Sequence, residues 1–224
     1  MKNILLVPFF LALLFFDKDI QKAVYPKFSF WMFENDGDIK KEIKNVDAKK
    51  RKLIEFGQKL DAVKEKKSGD KTYYQVALPD KTKYWADASF VTEKYITINS
   101  TDVLCYTQPS KDYLNGNFKL QPGDFAYFVK EQDGFINVDF ISYIPRGKDN
   151  KAVWIGNIWL NGGYTDDINT AKEAYWLNMA YSQIYSSKPN IENAKKFLKT
   201  AIEVNQSSPT EVAQIAQNVL SELK

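Results

Sequence analysis

Residues 120–140 read LQPGDFAYFVKEQDGFINVDF, and this stretch decides the fold of the chain. It holds two runs rich in aromatic and β-branched residues, residues 125–129 and 135–140, and such runs favour strands. Asp133-Gly134 between them is a strong signal for a two-residue hairpin turn. Pro122-Gly123 ahead of them fits a turn with proline at its second position. The stretch therefore predicts an antiparallel hairpin.

Short runs of the same kind flank this hairpin. Residues 103–110 (VLCYTQPS) precede it and residues 153–155 (VWI) follow it, and turn residues interrupt the chain at close intervals. Closely spaced short strands of this composition are typical of a small antiparallel barrel.

The order of these features resembles a bacterial SH3 (SH3b) domain. The resemblance covers residues 97–160 and rests on spaced turn residues and aromatics: Pro109-Ser110, Pro122-Gly123-Asp124, Asp133-Gly134 and Trp154. It implies short hairpins, an aromatic-lined groove, and binding of peptides or cell-wall peptides.

The same order of residues occurs earlier in the chain. Residues 57–65 (GQKLDAVKE) parallel residues 123–131 (GDFAYFVKE), because in both an alternating run starts at glycine and ends in Lys-Glu. Residues 84–86 (YWA) are matched to residues 153–155 (VWI). Self-similarity of this kind indicates two barrels in tandem.

The two predicted barrels take residues 24–96 and 97–163. Residues 28–33 are expected to form the first strand of the first barrel, equivalent to residues 103–107 of the second. The connection between the barrels, residues 92–100, is short and carries a strand signal of its own.

The periodicity of apolar residues becomes helical in residues 164–224. Apolar residues recur every three to four positions through three segments. Thr165, Asp166 and Asp167 offer caps for the first helix, Lys188-Pro189-Asn190 separates it from the second, and the third runs from Thr210. Three helices are therefore predicted.

The first two predicted helices resemble one tetratricopeptide-type repeat. Asn178 stands where that repeat has tryptophan, and a solenoid needs about three repeats to be stable alone. The unit is therefore expected to dock on the second barrel or on a partner. The positions that carry the resemblance are Ser182, Tyr185, Ala194, Leu198 and Ala201.

The predicted fold class is thus α+β. It consists of two small SH3-like antiparallel β-barrels followed by a three-helix, tetratricopeptide-like C-terminal unit.

The N-terminal residues are typical of a targeting segment. Lys2 precedes an apolar run over residues 4–16, which as a helix is about 20 Å long and too short for the ~30 Å hydrocarbon core of a bilayer. Residues 1–23 are predicted to be a signal peptide, or an uncleaved signal-anchor because the cleavage site at Ala23 is weak. Either segment exports the folded part to the periplasm or the cell envelope.

Residues 40–52 are rich in charge, with Ile43 and Val46 as their only large apolar residues. A stretch of this kind is usually a solvated loop or a short helix, and the alternative is a binding patch.

The amino-acid composition excludes most types of catalytic site. The 224 residues contain no histidine and one cysteine, Cys105. Neither a Ser-His-Asp nor a Cys-His arrangement can be built, and histidine- or cysteine-cluster metal sites are excluded. Cys105 is expected to be a small buried hydrophobe, and Asp166 and Asp167 fit helix caps better than acid–base catalysts. We therefore expect a non-enzymatic protein without cofactor or metal.

Recognition of another molecule remains. A net charge of +3 provides no strong basic field, so nucleic acid is not an expected partner. Because a small barrel also needs aromatics in its core, most of the candidate ligand-binding aromatics could instead be packing residues; Tyr113, in a polar loop, is the exception. These candidates are Tyr106, Tyr113, Tyr143 and Trp154 in the second barrel and Tyr73, Tyr84 and Trp85 in the first.

Two functions stay open on the sequence alone. One is an exported non-catalytic binding module of the bacterial cell envelope, which recognises a protein, peptide or peptidoglycan fragment through its barrels and meets the membrane only through its N-terminal segment. The other is a structural subunit that docks in an envelope protein complex through barrels and helices. The first would leave aromatics exposed in a cleft, and the second would show a larger apolar patch.

Overall fold

The computed structural model of the chain describes residues 17–41, 43–145 and 153–223, without the side chains of residues 117, 153 and 154. Within these residues the chain forms two curled antiparallel sheets followed by three helices. The predicted α+β class is confirmed at this level. The apolar run over residues 4–16 lies outside the described residues, and no helix within the described ranges is long and apolar enough to cross a membrane.

The first sheet is built from short strands between residues 17 and 92. Its strand order is β3-β2-β6-β5-β4-β1-β7. The strands are β1 (Asp17–Pro26), β2 (Phe30–Phe33), β3 (Arg51–Ile54), β4 (Leu60–Ser68), β5 (Lys71–Ala77), β6 (Lys83–Asp87) and β7 (Val91–Thr92). The first strand starts at Asp17, inside the range predicted to be a targeting segment.

The second sheet repeats the strand order of the first, strand for strand. Its order is β10-β9-β13-β12-β11-β8-β14. The strands are β8 (Tyr95–Ile98), β9 (Val103–Tyr106), β10 (Leu114–Leu120), β11 (Phe125–Gln132), β12 (Phe135–Ser142), β13 (Val153–Leu160) and β14 (Tyr164–Thr165). β2 takes the place of β9, as predicted for residues 28–33, although β1 precedes it. The two sheets therefore share one topology.

The pairing registers align the two sheets residue by residue. Phe33 pairs with Trp85 in the first sheet, and Tyr106 pairs with Trp159 in the second. The partners of the two tryptophans on β5 and β12 are equivalent as well. Trp85 is thus matched by Trp159, and the predicted match to Trp154 is wrong. The reason is that the connection between β12 and β13 is longer than the one between β5 and β6, so the first tryptophan after it is not the equivalent one.

The hairpin predicted at the centre of the second sheet is present. Asp133 and Gly134 have φ angles of 52° and 75°, and the flanking residues Gln132 and Phe135 pair with one another. Positive φ at both central residues is the geometry of a type I′ turn, whose twist matches that of the strands it joins.

The predicted proline–glycine turn is also present and fixes a buried carboxylate. Gly123 has a φ of 87°, and the Asp124 N–H donates to the Gln121 carbonyl oxygen over 3.0 Å, as in a type II turn. The buried Asp124 carboxylate accepts hydrogen bonds from the Gln121 N–H (2.7 Å) and the Ser142 hydroxyl (2.6 Å). A turn that holds a buried carboxylate in this way ties the start of β11 to the end of β12.

The three predicted helices are present, and the first begins at a predicted cap residue, Asp167. They are α1 (Ile168–Ile184), α2 (Ile191–Glu203) and α3 (Glu211–Glu222). The cap side chains of Asp167, Asn190 and Thr210 each accept a backbone N–H of the first turn, which supplies partners for groups that a helix leaves unpaired.

Contacts divide the chain into two compact units. Of the described residues, the first unit contains 17–23, 31–53 and 60–90. Its buried apolar side chains include Met32, Leu60, Ala62, Val76 and Ala86. The second unit contains residues 24–30, 54–59 and 91–224.

Tyr95 and Phe56 explain why two short segments belong to the second unit. The Tyr95 hydroxyl donates to the Pro26 carbonyl oxygen and accepts the Gly57 N–H over 3.2 Å. The Phe56 ring stacks on Tyr175 of α1. Both segments are therefore held by side chains of the sheet and helices of this unit.

The helices pack on the second sheet. Tyr95 and Phe125 of that sheet share one buried cluster with Ala174 and Leu177 of α1. Of the two alternatives predicted, docking on the second sheet is confirmed.

A candidate binding surface on the second sheet

Three aromatic residues of the second sheet form a small cluster apart from its main core. They are Tyr106, Phe135 and Trp159, whose exposed fractions lie between 5% and 8%. The rings of Tyr106 and Phe135 meet edge to face with centroids 5.3 Å apart, and Tyr106 pairs with Trp159 across β9 and β13. These rings make a second apolar layer on the sheet.

The alternation of side chains along β9 explains this layer. Val103 and Cys105 point into the main core of the second sheet, so Leu104 and Tyr106 point to the other face. Cys105 is fully buried, as predicted for a small hydrophobe. Leu104 is 42% exposed, an unusually high exposure for an aliphatic residue in a strand.

A second exposed leucine lies beside Tyr106. Leu114 of β10 is the register partner of Tyr106, so both side chains lie on the same face, and Leu114 is 49% exposed. The Tyr106 surface is defined here as Leu104, Tyr106, Leu114, Phe135 and Trp159. It has two exposed aliphatic residues above a tight aromatic layer.

A shallow pocket of about 200 Å³ borders this surface. Small-molecule sites usually measure about 300–1,000 Å³, so the pocket suits one side chain better than a whole ligand. Gly163 at its edge has a φ of 75°, and a Cβ there would collide with Val103. The lining residues are Val103, Leu104, Tyr106, Asn161, Gly162 and Gly163.

Lysines lie at the rim of the Tyr106 surface. The Lys130 amine lies 5.2 Å from the ring centroid of Trp159, within cation–π range. Lys119, the register partner of Leu104, lies 3.5 Å from an Asp102 carboxylate oxygen. The surface therefore combines an apolar centre with charged residues at its edge.

One of the predicted binding residues belongs to this surface, and a second is next to it in the chain. Tyr106 is part of it, but its ring is largely covered. Tyr113 is 48% exposed and directly precedes Leu114. The Tyr113 carbonyl oxygen accepts the N–H of Thr107 over 2.9 Å, which holds Tyr113 beside the end of β9. Tyr113 is thus the most exposed of the candidate aromatics whose side chains the structure describes.

The other two predicted residues of the second sheet are not part of the surface. Tyr143 packs against the cluster shared with the helices, and its N–H donates to the Asn178 side-chain oxygen over 2.9 Å. The side chain of Trp154 is outside the described part of the chain. A binding role for these two residues stays a prediction.

The candidates in the first sheet fall on equivalent positions. Trp85 is the counterpart of Trp159, and Tyr73 is the counterpart of Phe135, since each lies two residues before the strand partner of its tryptophan. Tyr73 is 4% exposed, whereas Tyr84 and Trp85 are half-buried. Their ligand-binding role also stays a prediction.

Phe135, Trp159 and the two leucines were not among the predicted residues. The strand register identifies Phe135 and Trp159, whereas an alignment of the two hairpin turns does not, because the hairpin of the first sheet is two residue pairs longer. No local signal identifies Leu104 and Leu114, because their exposure depends on the strand register.

The described residues contain no group of three His, Cys, Asp or Glu side chains that could hold a metal ion. No protein-family model, curated protein or solved structure matches the chain.

Proposed function

We propose that this protein is an exported, non-catalytic binding module of the bacterial cell envelope and that it holds a peptide or cell-wall fragment on the Tyr106 surface. The observation that carries the proposal is the pair of exposed leucines, Leu104 and Leu114, on either side of Tyr106 and next to a pocket of side-chain size. Water-exposed aliphatic groups on one face gain free energy when a partner covers them.

The finer fold assignment is part of this proposal. The two sheets are assigned to SH3-like barrels, which their shared strand order and short hairpins support. α1 and α2 are assigned to a tetratricopeptide-like pair. Ala194, Leu198 and Ala201 support that assignment, since all three are fully buried at the small and large packing positions of α2.

An extended peptide fits the surface better than a compact ligand. β10 is the last strand in the sheet order, and an extended chain can pair with the backbone of an edge strand while one of its side chains enters a pocket. The rim lysine Lys130 favours a chain that carries carboxylates, as peptidoglycan stem peptides do.

Sedimentation of the purified protein with peptidoglycan sacculi tests the proposal. The double variant Leu104→Ser/Leu114→Ser is expected to bind at least about tenfold more weakly, because it removes two aliphatic contacts. Val129→Ser is the matched control, since Val129 is 47% exposed on β11 and is not part of the surface. An equal loss of sacculus binding in the double leucine variant and in Val129→Ser would contradict a cell-wall ligand on this surface. So would the absence of binding by the unchanged protein.

The second candidate function is a structural subunit of an envelope complex. It is favoured by the aliphatic nature of the exposed groups, since the Tyr106 ring itself is only 8% exposed. A photo-crosslinking residue in place of the exposed Tyr113 would separate the two. A discrete protein adduct that the leucine variant loses, together with no binding to sacculi, would favour the subunit.

A further inference from the structure

The first sheet contains a counterpart of each residue of the Tyr106 surface. The pairings of Trp85 with Phe33 and with Gln75 repeat the pairings of Trp159 in the second sheet. The counterparts of Tyr106, Phe135 and Trp159 are therefore Phe33, Tyr73 and Trp85.

Trp31 is the counterpart of the exposed Leu104. Each of them lies two residues before the strand partner of its tryptophan. Met32 is fully buried, so its neighbours in β2, Trp31 and Phe33, point to the opposite face of the sheet. Trp31 is half-buried on that face.

Arg51 is the counterpart of the exposed Leu114. Both residues follow the acceptor of a backbone hydrogen bond that the two sheets share, in which the N–H after the tryptophan's strand partner donates over 2.9 Å. The donor and acceptor are Glu34 and Lys50 in the first sheet and Thr107 and Tyr113 in the second. The first sheet thus has an indole, a guanidinium and a phenol where the second has two leucines and a phenyl ring. The Arg51 surface is defined here as Trp31, Phe33, Arg51, Tyr73 and Trp85.

Two contacts hold the guanidinium of Arg51 in place. Its Nη1 donates to the Ile43 carbonyl oxygen over 2.7 Å, and its central carbon lies 4.8 Å from the ring centroid of Trp31. Within the described part of the chain its contacts include no carboxylate, and its Nε is buried without a hydrogen-bond partner. A cation that is fixed in this way and keeps N–H donors in reserve is prepared to bind an anion.

The Tyr73 hydroxyl is a second donor on the same face. Tyr73 lies two residues from Gln75, the strand partner of Trp85, and so points to the face of Trp85. It is 4% exposed, and among the described residues its hydroxyl has no hydrogen-bond partner. Buried polar groups of this kind are rare. Phe135 at the equivalent position of the second sheet indicates that packing does not require the hydroxyl, whereas an acceptor atom of a ligand would satisfy it.

The carboxylate of Asp87 is on this face as well, because Asp87 is the strand partner of Tyr73. It accepts hydrogen bonds from the Ser89 N–H (3.0 Å) and the Ser89 hydroxyl (2.7 Å), and it lies 3.6 Å from the Lys71 amine. Its charge is therefore balanced by partners other than Arg51.

We propose that the Arg51 surface binds a carboxylate group of a peptide. The planar guanidinium offers paired N–H donors that match the two oxygens of a carboxylate, and the Tyr73 hydroxyl is a further donor to the same ligand. One guanidinium balances the single charge of a carboxylate but not the larger charge of a phosphate monoester. The half-buried rings of Trp31 and Trp85 offer apolar surface to the rest of the peptide. The proposal is independent of the Tyr106 surface, because every residue of the Arg51 surface belongs to the first unit.

Nuclear magnetic resonance of the full chain in a neutral detergent tests the proposal. The sequence contains only two arginines, Arg51 and Arg146, so the Nε–H signal of Arg51 can be assigned by its loss in Arg51→Lys. The probe is the peptide N-acetyl-Ala-Leu-Ala with a free C-terminal carboxylate, and its C-terminal amide is the matched control. We expect the acid to shift the Arg51 Nε–H signal and the amide to bind at least about tenfold more weakly.

Tyr73→Phe is the most specific variant, because it removes one hydroxyl and puts in the residue type that the second sheet has at this position. It should leave the melting temperature of the free protein unchanged or raise it, since a buried hydroxyl without a partner does not stabilise the fold. It should nevertheless weaken binding of the acid peptide about tenfold, because a hydrogen bond to a charged group is lost.

Two further variants separate the guanidinium from its charge. Arg51→Lys keeps the charge but loses the paired donors, so it should weaken binding of the acid peptide at least about tenfold. Lys81→Gln removes an exposed positive charge of the same unit and should leave binding unchanged. Binding by the variants is followed on the indole N–H signals of the tryptophans.

Four results would overturn the proposal. Equal binding of the acid and the amide would remove the role of the carboxylate, and an equal loss in Arg51→Lys and Lys81→Gln would assign the effect to net charge. If inorganic phosphate shifts the Arg51 Nε–H signal at lower concentration than the acid peptide does, the surface is a phosphate site. A lower melting temperature of Tyr73→Phe together with unchanged peptide binding would show that the hydroxyl stabilises the fold and does not contact the ligand.

Discussion

The ring of Phe56 lies parallel to the ring of Tyr175, with centroids 3.6 Å apart and an interplanar angle of 10°. Phe56 precedes β4, whereas Tyr175 is in the middle of α1. The stack therefore joins segment 54–59 to the helices of the second unit. A protein that begins at residue 97 would lack this ring, and it would also lack Tyr95 and the Gly57 N–H that the Tyr95 hydroxyl accepts.

Phe56→Ala should lower the free energy of unfolding by about 2–3 kcal/mol, since it removes a half-buried ring from an aromatic cluster. Phe28→Ala is the matched control, because Phe28 belongs to the same unit and is 45% exposed; its loss should stay below about 1 kcal/mol. Urea unfolding of both variants measures the difference. Similar values for the two would show that the stack contributes no more than an exposed ring.

Gly134→Ala should destabilise the protein by about 1 kcal/mol, because Gly134 has a φ of 75° that a Cβ penalises. Nothing lies within 4 Å of the added carbon, so the cost comes from the backbone alone, and Gly134→Val should cost more. Gly116→Ala is the control: it also meets nothing within 4 Å, and its φ lies outside the left-handed region. In thermal unfolding, Gly134→Val should lower the melting temperature most, Gly134→Ala less, and Gly116→Ala least.

Local features of the fold could be predicted from the sequence. The type I′ turn at Asp133-Gly134 and the helix caps at Asp167, Asn190 and Thr210 depend on residues close together in the chain. Such features can therefore be predicted from the local sequence, without knowledge of the tertiary structure. The number of helices and the position of the central hairpin were predicted correctly from these features.

Non-local features could not be predicted in the same way. The match of Trp85 to Trp159 depends on the strand register. The sequence does not show where the strand after each connection begins, so it does not tell whether Trp154 or Trp159 is the equivalent residue. The membership of Phe56 in the second unit depends on contacts far along the chain. For the candidate site, Tyr106 and Tyr113 could be predicted as aromatics, but the exposure of Leu104 and Leu114 follows only from the register.

Asn178 stabilises the contact between α1 and the second sheet. Its side-chain oxygen accepts the Tyr143 N–H over 2.9 Å, and its amide nitrogen donates to the carbonyl oxygens of Gly123 (2.9 Å) and Ala174 (2.8 Å). Asn178→Leu should cost about 2–3 kcal/mol, because it leaves buried backbone groups without partners.

Asn169→Leu is the control for this substitution, since Asn169 is exposed in the first turn of α1. It should change the free energy of unfolding by less than about 0.5 kcal/mol. The measurement is urea unfolding monitored by circular dichroism. A stable Asn178→Leu protein would mean that helix docking relies on the apolar cluster alone.

Glu173 of α1 gives stability a pH dependence of unusual sign. Its side chain is fully buried, one carboxyl oxygen accepts a hydrogen bond from the Thr210 hydroxyl, and the other has no hydrogen-bond partner. Burial raises the pKa of the Glu173 carboxyl, the Thr210 hydrogen bond opposes this shift, and the charge of Asp167 adds to it. The folded protein therefore favours the protonated acid more than the unfolded chain does.

Because the pKa of Glu173 is raised in the folded state, protonated Glu173 stabilises the fold. This contribution is fully present below the pKa of the unfolded chain, near 4.5, and is lost as the pH rises through the pKa of the folded protein. Asp167 acts in the opposite direction, since hydrogen bonds from Thr170 lower its pKa and its contribution is lost in acid. Glu173→Gln cannot ionise, so its free energy of unfolding should rise relative to that of the unchanged protein as the pH increases from about 4.5 to 8. Urea unfolding across this range measures the change, and Glu203→Gln, at an exposed position of α2, should run parallel to the unchanged protein. A constant difference between Glu173→Gln and the unchanged protein at every pH would show that Glu173 ionises equally in the folded and unfolded states.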